Sequence, residues 1–182
     1  MESNANQSPA VPPPEVQPKS KKWRSFLVNL LLFAVLVTGI RLWQQRDMVS
    51  GAAPELQGVT LSGQPYRLAA HTGRPVLVHF WATWCPICRA EQSSIAAIAA
   101  DDPEVITVAM QSGKPEQVAG FMREQGISFA VLNDPDGKIS AEWGVHAVPA
   151  SFIVAPDGKI RFVEVGYTTG WGIRIRKWLA GI

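Results

Sequence analysis

Cysteine is nearly absent from this chain of 182 residues, which has only Cys85 and Cys88. Two cysteines cannot build the multi-bridge framework of small secreted domains, and alone they cannot complete a four-ligand structural zinc site. Histidine is almost as scarce. His71, His79 and His146 do not fall at zinc-finger spacing, and Arg89 stands where a c-type haem site needs a histidine directly after the second cysteine. A formal net charge of +2, with no long basic stripe, leaves nucleic acid without an electrostatic footprint. Nothing signals nucleotide, flavin or haem, so no cofactor is expected beyond a redox-active Cys85–Cys88 disulfide. The rest is ordinary: 47% hydrophobic and 18% charged, enough to bury the core of one domain with an appendage.

The appendage is N-terminal. Residues 1–24 are polar and rich in proline, too poor in apolar surface to fold, and read as a disordered cytoplasmic tail. They end in the basic cluster Lys19, Lys21, Lys22 and Arg24. Ser25 to Ile40 then carries no charge, is bracketed by Arg24 and Arg41, and is flanked by Trp23 and Trp43. Sixteen helical residues reach about 24 Å, against roughly 30 Å of bilayer core. Extended arginines and interfacial tryptophans close that gap. Residues 25–43 therefore read as a transmembrane anchor. A cleavable signal peptide is the alternative, but the small residues Ser50–Ala53 lie far from the apolar run for a cleavage site. The basic cluster predicts a cytoplasmic N-terminus and an exported remainder, which in a bacterium means the periplasm.

Residues 44–55 read as a linker and 56–182 as the exported domain. Pattern and turn residues predict a hairpin over Val59–Leu68 and buried strands at Pro75–Ala82 and Val105–Met110. Helices are expected over Pro86–Ala100 and Pro115–Gln125, the latter ended by Gly126. A short strand is expected at Phe129–Leu132, followed by a turn and a short helix to Trp143. A second hairpin, Ser151–Ala155 with Ile160–Val165, turns at Pro156-Asp157-Gly158. A last helix, Trp171–Ile182, shows Trp171, Ile175, Trp178, Leu179 and Ile182 on one face, with Arg174, Arg176 and Lys177 elsewhere. Strands alternating with helices and closed by an antiparallel hairpin imply a layered α/β domain.

Trp84-Cys85-Pro86-Ile87-Cys88 follows a strand and opens a helix, the context in which a Cys-x-x-Cys reads as a redox pair. Free N–H groups and the helix dipole favour a thiolate at Cys85, the candidate nucleophile. Pro86 fits the first helical turn, where its missing N–H costs nothing. Cys88, one turn on, is the resolving thiol. An inert structural disulfide is the bland reading, and two thiolates could instead hold Cu(I).

Glu91 shares a helix face with Cys88, Ile95 and Ile98, and burial there would raise its pKa toward a value useful for moving protons. It could also be a first-turn acid that merely favours the dipole. His79 interrupts an apolar strand six residues before Cys85. It is a candidate for proton transfer with Cys88, and equally for a buried neutral histidine satisfied by a backbone group. His146 and His71 read as surface residues. Trp84 could shape the substrate site.

Phe80–Gln92 (FWATWCPICRAEQ), Gly144–Pro149 (GVHAVP) and Ser151–Ile160 (SFIVAPDGKI) resemble, in the right order, the thioredoxin-like proteins of the TlpA/ResA/CcmG type. The resemblance covers residues 55–182. With the anchor, the ending Gly166–Ala180 looks most like the suppressor-of-copper-sensitivity protein D group. It implies a thioredoxin-like fold, a central mixed sheet flanked by helices, with an extra helix and strand within Pro115–Trp143. It also implies that Pro149 is a cis-proline facing the cysteines, with Val148 beside it pairing a substrate strand. Glu91 matches the acid that this family carries after its second cysteine. One departure stands out: His79 occupies the place of a buried aspartate in thioredoxin.

The expected activity is disulfide reduction or exchange in exported proteins, with electrons from a membrane donor of the DsbD type. A disulfide oxidase or isomerase on the same scaffold, and a Cu(I)-binding copper-tolerance protein, are the competing readings. A peroxidase is disfavoured by a resolving thiol within one helical turn.

Overall fold

The computed structural model describes residues 20–45, 49–71 and 73–182. The chain divides after Ile40 into two units. The first contains most of helix α1, Ser20–Gln45, whose stretch Trp23–Ile40 has a mean hydropathy of 1.8 and is exposed throughout. It is long and apolar enough to cross a membrane. The helix takes in Ser20–Arg24, which the sequence assigned to the tail; the remainder of that tail, residues 1–19, lies outside the described residues.

The second unit contains a six-stranded mixed sheet. Its strands are β1 (Gly51–Ala52), β4 (Val76–Trp81), β5 (Val105–Met110), β6 (Val131–Asp134), β7 (Ala150–Val154) and β8 (Lys159–Val165), in the order β1-β8-β7-β4-β5-β6. β2 (Gln57–Val59) and β3 (Pro65–Arg67) form a separate hairpin. The helices are α2 (Pro86–Asp101), α3 (Pro115–Gln125), α4 (Lys138–Glu142) and α5 (Gly170–Ala180).

β4 is buried along its whole length because β5 and β7 flank it and layers cover both faces. Side chains alternate across the sheet. Val76, Val78 and Phe80 join Phe152, Trp143 and Leu132 in one core, closed by Leu56 and Leu68. On the other face, Leu77 packs with Ile95 and Ile98 of α2 and Ile173 of α5, and Trp81 with Cys88 and with Val118 of α3. His79 lies between Leu77 and Trp81 and so faces the α2 side.

Most expected elements stand within a residue or two of their predicted bounds. Gly126 caps α3 with φ +63°, a conformation glycine adopts without penalty. α3 and β6 supply the additional helix and strand expected between the cysteines and Pro149.

Two expectations need correction, and a third element shows what spacing alone left open. β6 begins at Val131, not Phe129, because the strand follows its pairing with β5 through to Asp134 and Phe129 packs against Trp81 instead. The segment read as linker contains β1, whose Gly51 and Ala52 pair with Ile160 and Lys159; two small residues leave no pattern to read. In the C-terminal helix the apolar face read from the spacing is the exposed one: Trp171, Ile175, Trp178, Leu179 and Ile182 are exposed, while Ile173, Lys177 and Ala180 are buried. Lys177 lays its aliphatic stem in the core and bonds its ammonium to Asp102 Oδ2 at 2.6 Å and the Glu104 carbonyl at 2.8 Å.

Candidate active site

The site forms where β4 gives way to α2. Cys85 is the N-cap of α2, in extended conformation, with Pro86 at the first helical position. The Cys88 backbone N–H donates to Cys85 Sγ at 3.0 Å. A sulfur carries the capping role that an oxygen usually fills, which favours negative charge there. Cys85 and Cys88 are joined in a disulfide, their Cα atoms 5.3 Å apart, and both residues are buried.

The Val148–Pro149 peptide bond is cis and precedes β7. The Val148 carbonyl oxygen lies 3.6 Å from Cys85 Sγ. The cysteines and this loop, 61 positions apart in sequence, thus meet because β4 and β7 are antiparallel neighbours. Trp84 is 55% exposed and held on one side by its indole N–H, which donates to the Gln111 carbonyl at 3.1 Å. Gln111 itself sits at φ +44°, uncommon for a residue with a side chain. The next residue, Ser112, accepts from the Thr83 amide at 3.0 Å, so the loop after β5 braces the approach to Cys85.

Beneath the disulfide lies Glu91, fully buried on the face of α2 that carries Cys88. Neither carboxyl oxygen accepts a hydrogen bond of good geometry. Burial pushes its pKa up to about 7, and the nearby Thr168 backbone amide offsets part of that rise. His79 is also buried, and burial pulls its pKa down to about 4. Its Nδ1 pairs with Ser151 Oγ at 2.9 Å, a side-chain partner and not the backbone group expected. His146 is exposed. His71 is half-buried, stacked on Tyr66 and 2.7 Å from Glu104 Oε2.

The fold thus brings together Cys85, Cys88, Glu91, Trp84, Pro86, Val148 and Pro149. Ser151, Thr168 and Gln111 went unnoticed in the sequence. Ser151 was legible only as a polar residue in an apolar strand, and its pairing with His79 needs the β4–β7 register. Thr168 and Gln111 act through backbone atoms and carry no signal in residue type.

A Cys-x-x-Cys at a strand-to-helix junction, faced by a cis-proline on a thioredoxin-like sheet, defines a thiol–disulfide oxidoreductase. The chain belongs to the AhpC/TSA family, whose model matches residues 49–163. It is 28% identical to a thioredoxin-like protein of Haemophilus influenzae, over 89% of this chain and 97% of that one. It is also 28% identical to the thiol:disulfide interchange protein DsbE of Escherichia coli, over 80% of this chain and 86% of that one. Among solved structures, a thioredoxin-family thiol:disulfide interchange protein from Chlorobium tepidum superposes with a TM-score of 0.64 at 25% identity, covering 75% of this chain and 99% of that one.

Proposed function

We propose that this protein is a membrane-anchored reductase or exchanger of disulfides in exported proteins, with Cys85 as nucleophile and Cys88 as resolving thiol. The observation that carries the reading is the capped sulfur: Cys85 Sγ at the N-terminus of α2, receiving the Cys88 amide at 3.0 Å. In the reduced protein the Cys85 thiolate attacks one sulfur of a substrate disulfide. That bond breaks, the departing substrate thiolate takes a proton, and a mixed disulfide remains. Cys88 loses its proton and attacks Cys85 Sγ. The second substrate thiolate leaves and is protonated, so two electrons have passed to the substrate and the Cys85–Cys88 disulfide is restored.

Glu91 exchanges protons in the Cys88 step, supported by its burial and by a pKa near neutrality. Trp84, Pro86, Val148 and Pro149 frame the substrate, whose strand pairs with the Val148 backbone. His79 holds the floor of the site in its neutral form and is a second candidate for the Cys88 proton. Residues 25–43 anchor the chain, with residues 1–24 cytoplasmic, 44–55 as connection and 56–182 periplasmic; the apolar helix and the DsbE-named relatives support this. A membrane donor of the DsbD type would return electrons to the cysteines. The suppressor-of-copper-sensitivity group remains the proposed subgroup, on the sequence ending together with the N-terminal anchor. Cu(I) binding is the second reading, favoured by two thiols on one helical turn.

The test is the reduction potential of the chain in detergent against a dithiothreitol couple, with Cys85→Ala as control. A value near that of thioredoxin, about −270 mV, supports the reductase, and a value near that of DsbA, about −120 mV, assigns the protein to disulfide donation. Loss of exchange in Cys85→Ala is required by either. A wild-type chain that exchanges nothing but binds Cu(I) makes it a copper protein.

A further inference from the structure

The exposed apolar residues of α5 form a continuous ridge. Trp171 is 79% exposed and Trp178 69% exposed, with Ile175, Leu179 and Ile182 between and beyond them. Their spacing of three, four and seven puts them on one side of a helix whose other side packs on β7, β8 and α2. An exposed apolar stripe of this kind costs solubility unless something covers it.

We infer that this ridge rests in the interfacial layer of the lipid bilayer. The composition suits that layer. Tryptophan prefers the boundary between headgroups and acyl chains, and the stripe joins two of them to three aliphatic side chains. The charges of the helix are already used. Arg174 pairs with Asp101 at 2.7 Å, Arg176 with Glu164 at 2.7 Å, and Lys177 with Asp102 at 2.6 Å. The ridge therefore offers apolar surface without free cations, and its binding depends little on salt or on anionic lipid.

The chain also supplies the proximity. Only residues 46–50 separate the end of α1 at Gln45 from β1 at Gly51, a reach of at most about 22 Å fully extended. β1 enters the sheet at the pole opposite the cysteines, where Gly51 pairs with Ile160, Ile160 with Val154, and Val154 with Val76 at the start of β4. The C-terminal end of α5 lies at that same pole, with Gly181 beside Pro75. The ridge thus begins at the pole where β1 enters the sheet, and Cys85 stands at the other end of β4, about 20 Å away along six residues of strand. Resting on α5 leaves the disulfide open to substrate.

The inference relies on the anchor proposed above, and one experiment separates the two. The full chain is reconstituted into phosphatidylcholine vesicles, with and without phosphatidylglycerol. Extraction by alkaline carbonate would show that the anchor itself fails. With the chain retained, hydroxyl-radical oxidation is read at each tryptophan by mass spectrometry. By exposure alone, Trp171 and Trp178 should oxidise faster than Trp84, which is 55% exposed. A ridge in the bilayer inverts that order several-fold, in both lipids, at low and high salt, and at any protein-to-lipid ratio. Trp171 and Trp178 reacting as fast as Trp84 overturns the inference. Protection that vanishes as protein is diluted in lipid also overturns it, and assigns the ridge to a second copy of the chain.

Discussion

Two ionisable side chains are buried in the same layer, on the α2 and α5 side of the sheet, and they are treated in opposite ways. Lys177 is 8% exposed and fully engaged, bonded to Asp102 and to the Glu104 carbonyl. Glu91 is 0% exposed, and both its oxygens lack a well-formed partner. A buried charge with its hydrogen bonds made is a fixed part of the scaffold, whereas one without them is costly and titrates near neutrality. Lys177 lies toward the pole of the sheet opposite the cysteines. Glu91 lies on the face of α2 that carries Cys88, where the proton exchange proposed above calls for a group that titrates near neutrality.

Substitution should separate the two. Lys177→Ala strands Asp102 and the Glu104 carbonyl and is expected to lower unfolding free energy by about 3 kcal/mol, with exchange kinetics unchanged; denaturant titration beside an insulin-reduction assay reads both. Equal stability to wild type would show that the pair is not structural. Glu91→Met is expected to do the reverse at pH 8, raising stability by about 2 kcal/mol because the ionised carboxylate no longer has to be buried, while slowing the Cys88 step about tenfold or more and flattening its pH profile near neutrality. Stopped-flow decay of the mixed disulfide would show it, and an unaltered profile would remove Glu91 from the proton path.

The pH dependence of stability sharpens the contrast further. Burial lifts Glu91 from 4.5 to about 7, so between those values the folded protein keeps a proton that the unfolded chain has lost, and stability falls as pH rises. Burial lowers His79 from 6.5 to about 4, so there the unfolded chain holds the extra proton, and stability increases with pH. The slopes oppose each other between pH 4.5 and 6.5 and leave the wild type nearly flat. Glu91→Met should expose the rise and His79→Asn the fall, measured as midpoint against pH; a wild type that slopes as steeply as either variant would show that one of the groups is not buried as described. The smallest effect is at the rim. Trp84→Phe loses the bond to the Gln111 carbonyl, worth about 1 kcal/mol, and should alter KM for protein disulfides more than for dithiothreitol.

Much of the domain was legible beforehand. β4 and β5 declared themselves as apolar runs, α3 by its proline start and Gly126 stop, and the redox pair by its position between strand and helix. The orientation of α5 was not legible, because two stripes satisfy the same period. Trp171, Ile175 and Trp178 make the more apolar one, but the stripe that packs is Ile173, Lys177 and Ala180. Hydrophobicity favours the former, and only the packing of α5 on β7, β8 and α2, with Asp102 accepting from the ammonium, selects the latter. β1 was invisible because Gly51 and Ala52 enter the sheet through backbone bonds alone.

By itself the sequence determined the chemistry: two thiols on one helical turn, a proline to start the helix, an acid three residues on. These are local relations, carried by spacing along the chain. The tertiary structure decided what surrounds them. Strand pairing brings Val148 to within 3.6 Å of Cys85 Sγ and Ser151 to His79. Packing leaves Glu91 without a well-formed partner and Lys177 bonded to Asp102 and the Glu104 carbonyl. The physical reason is that desolvation and hydrogen-bond partnership depend on neighbours distant in sequence, and these set whether a buried charge reacts or only holds the fold.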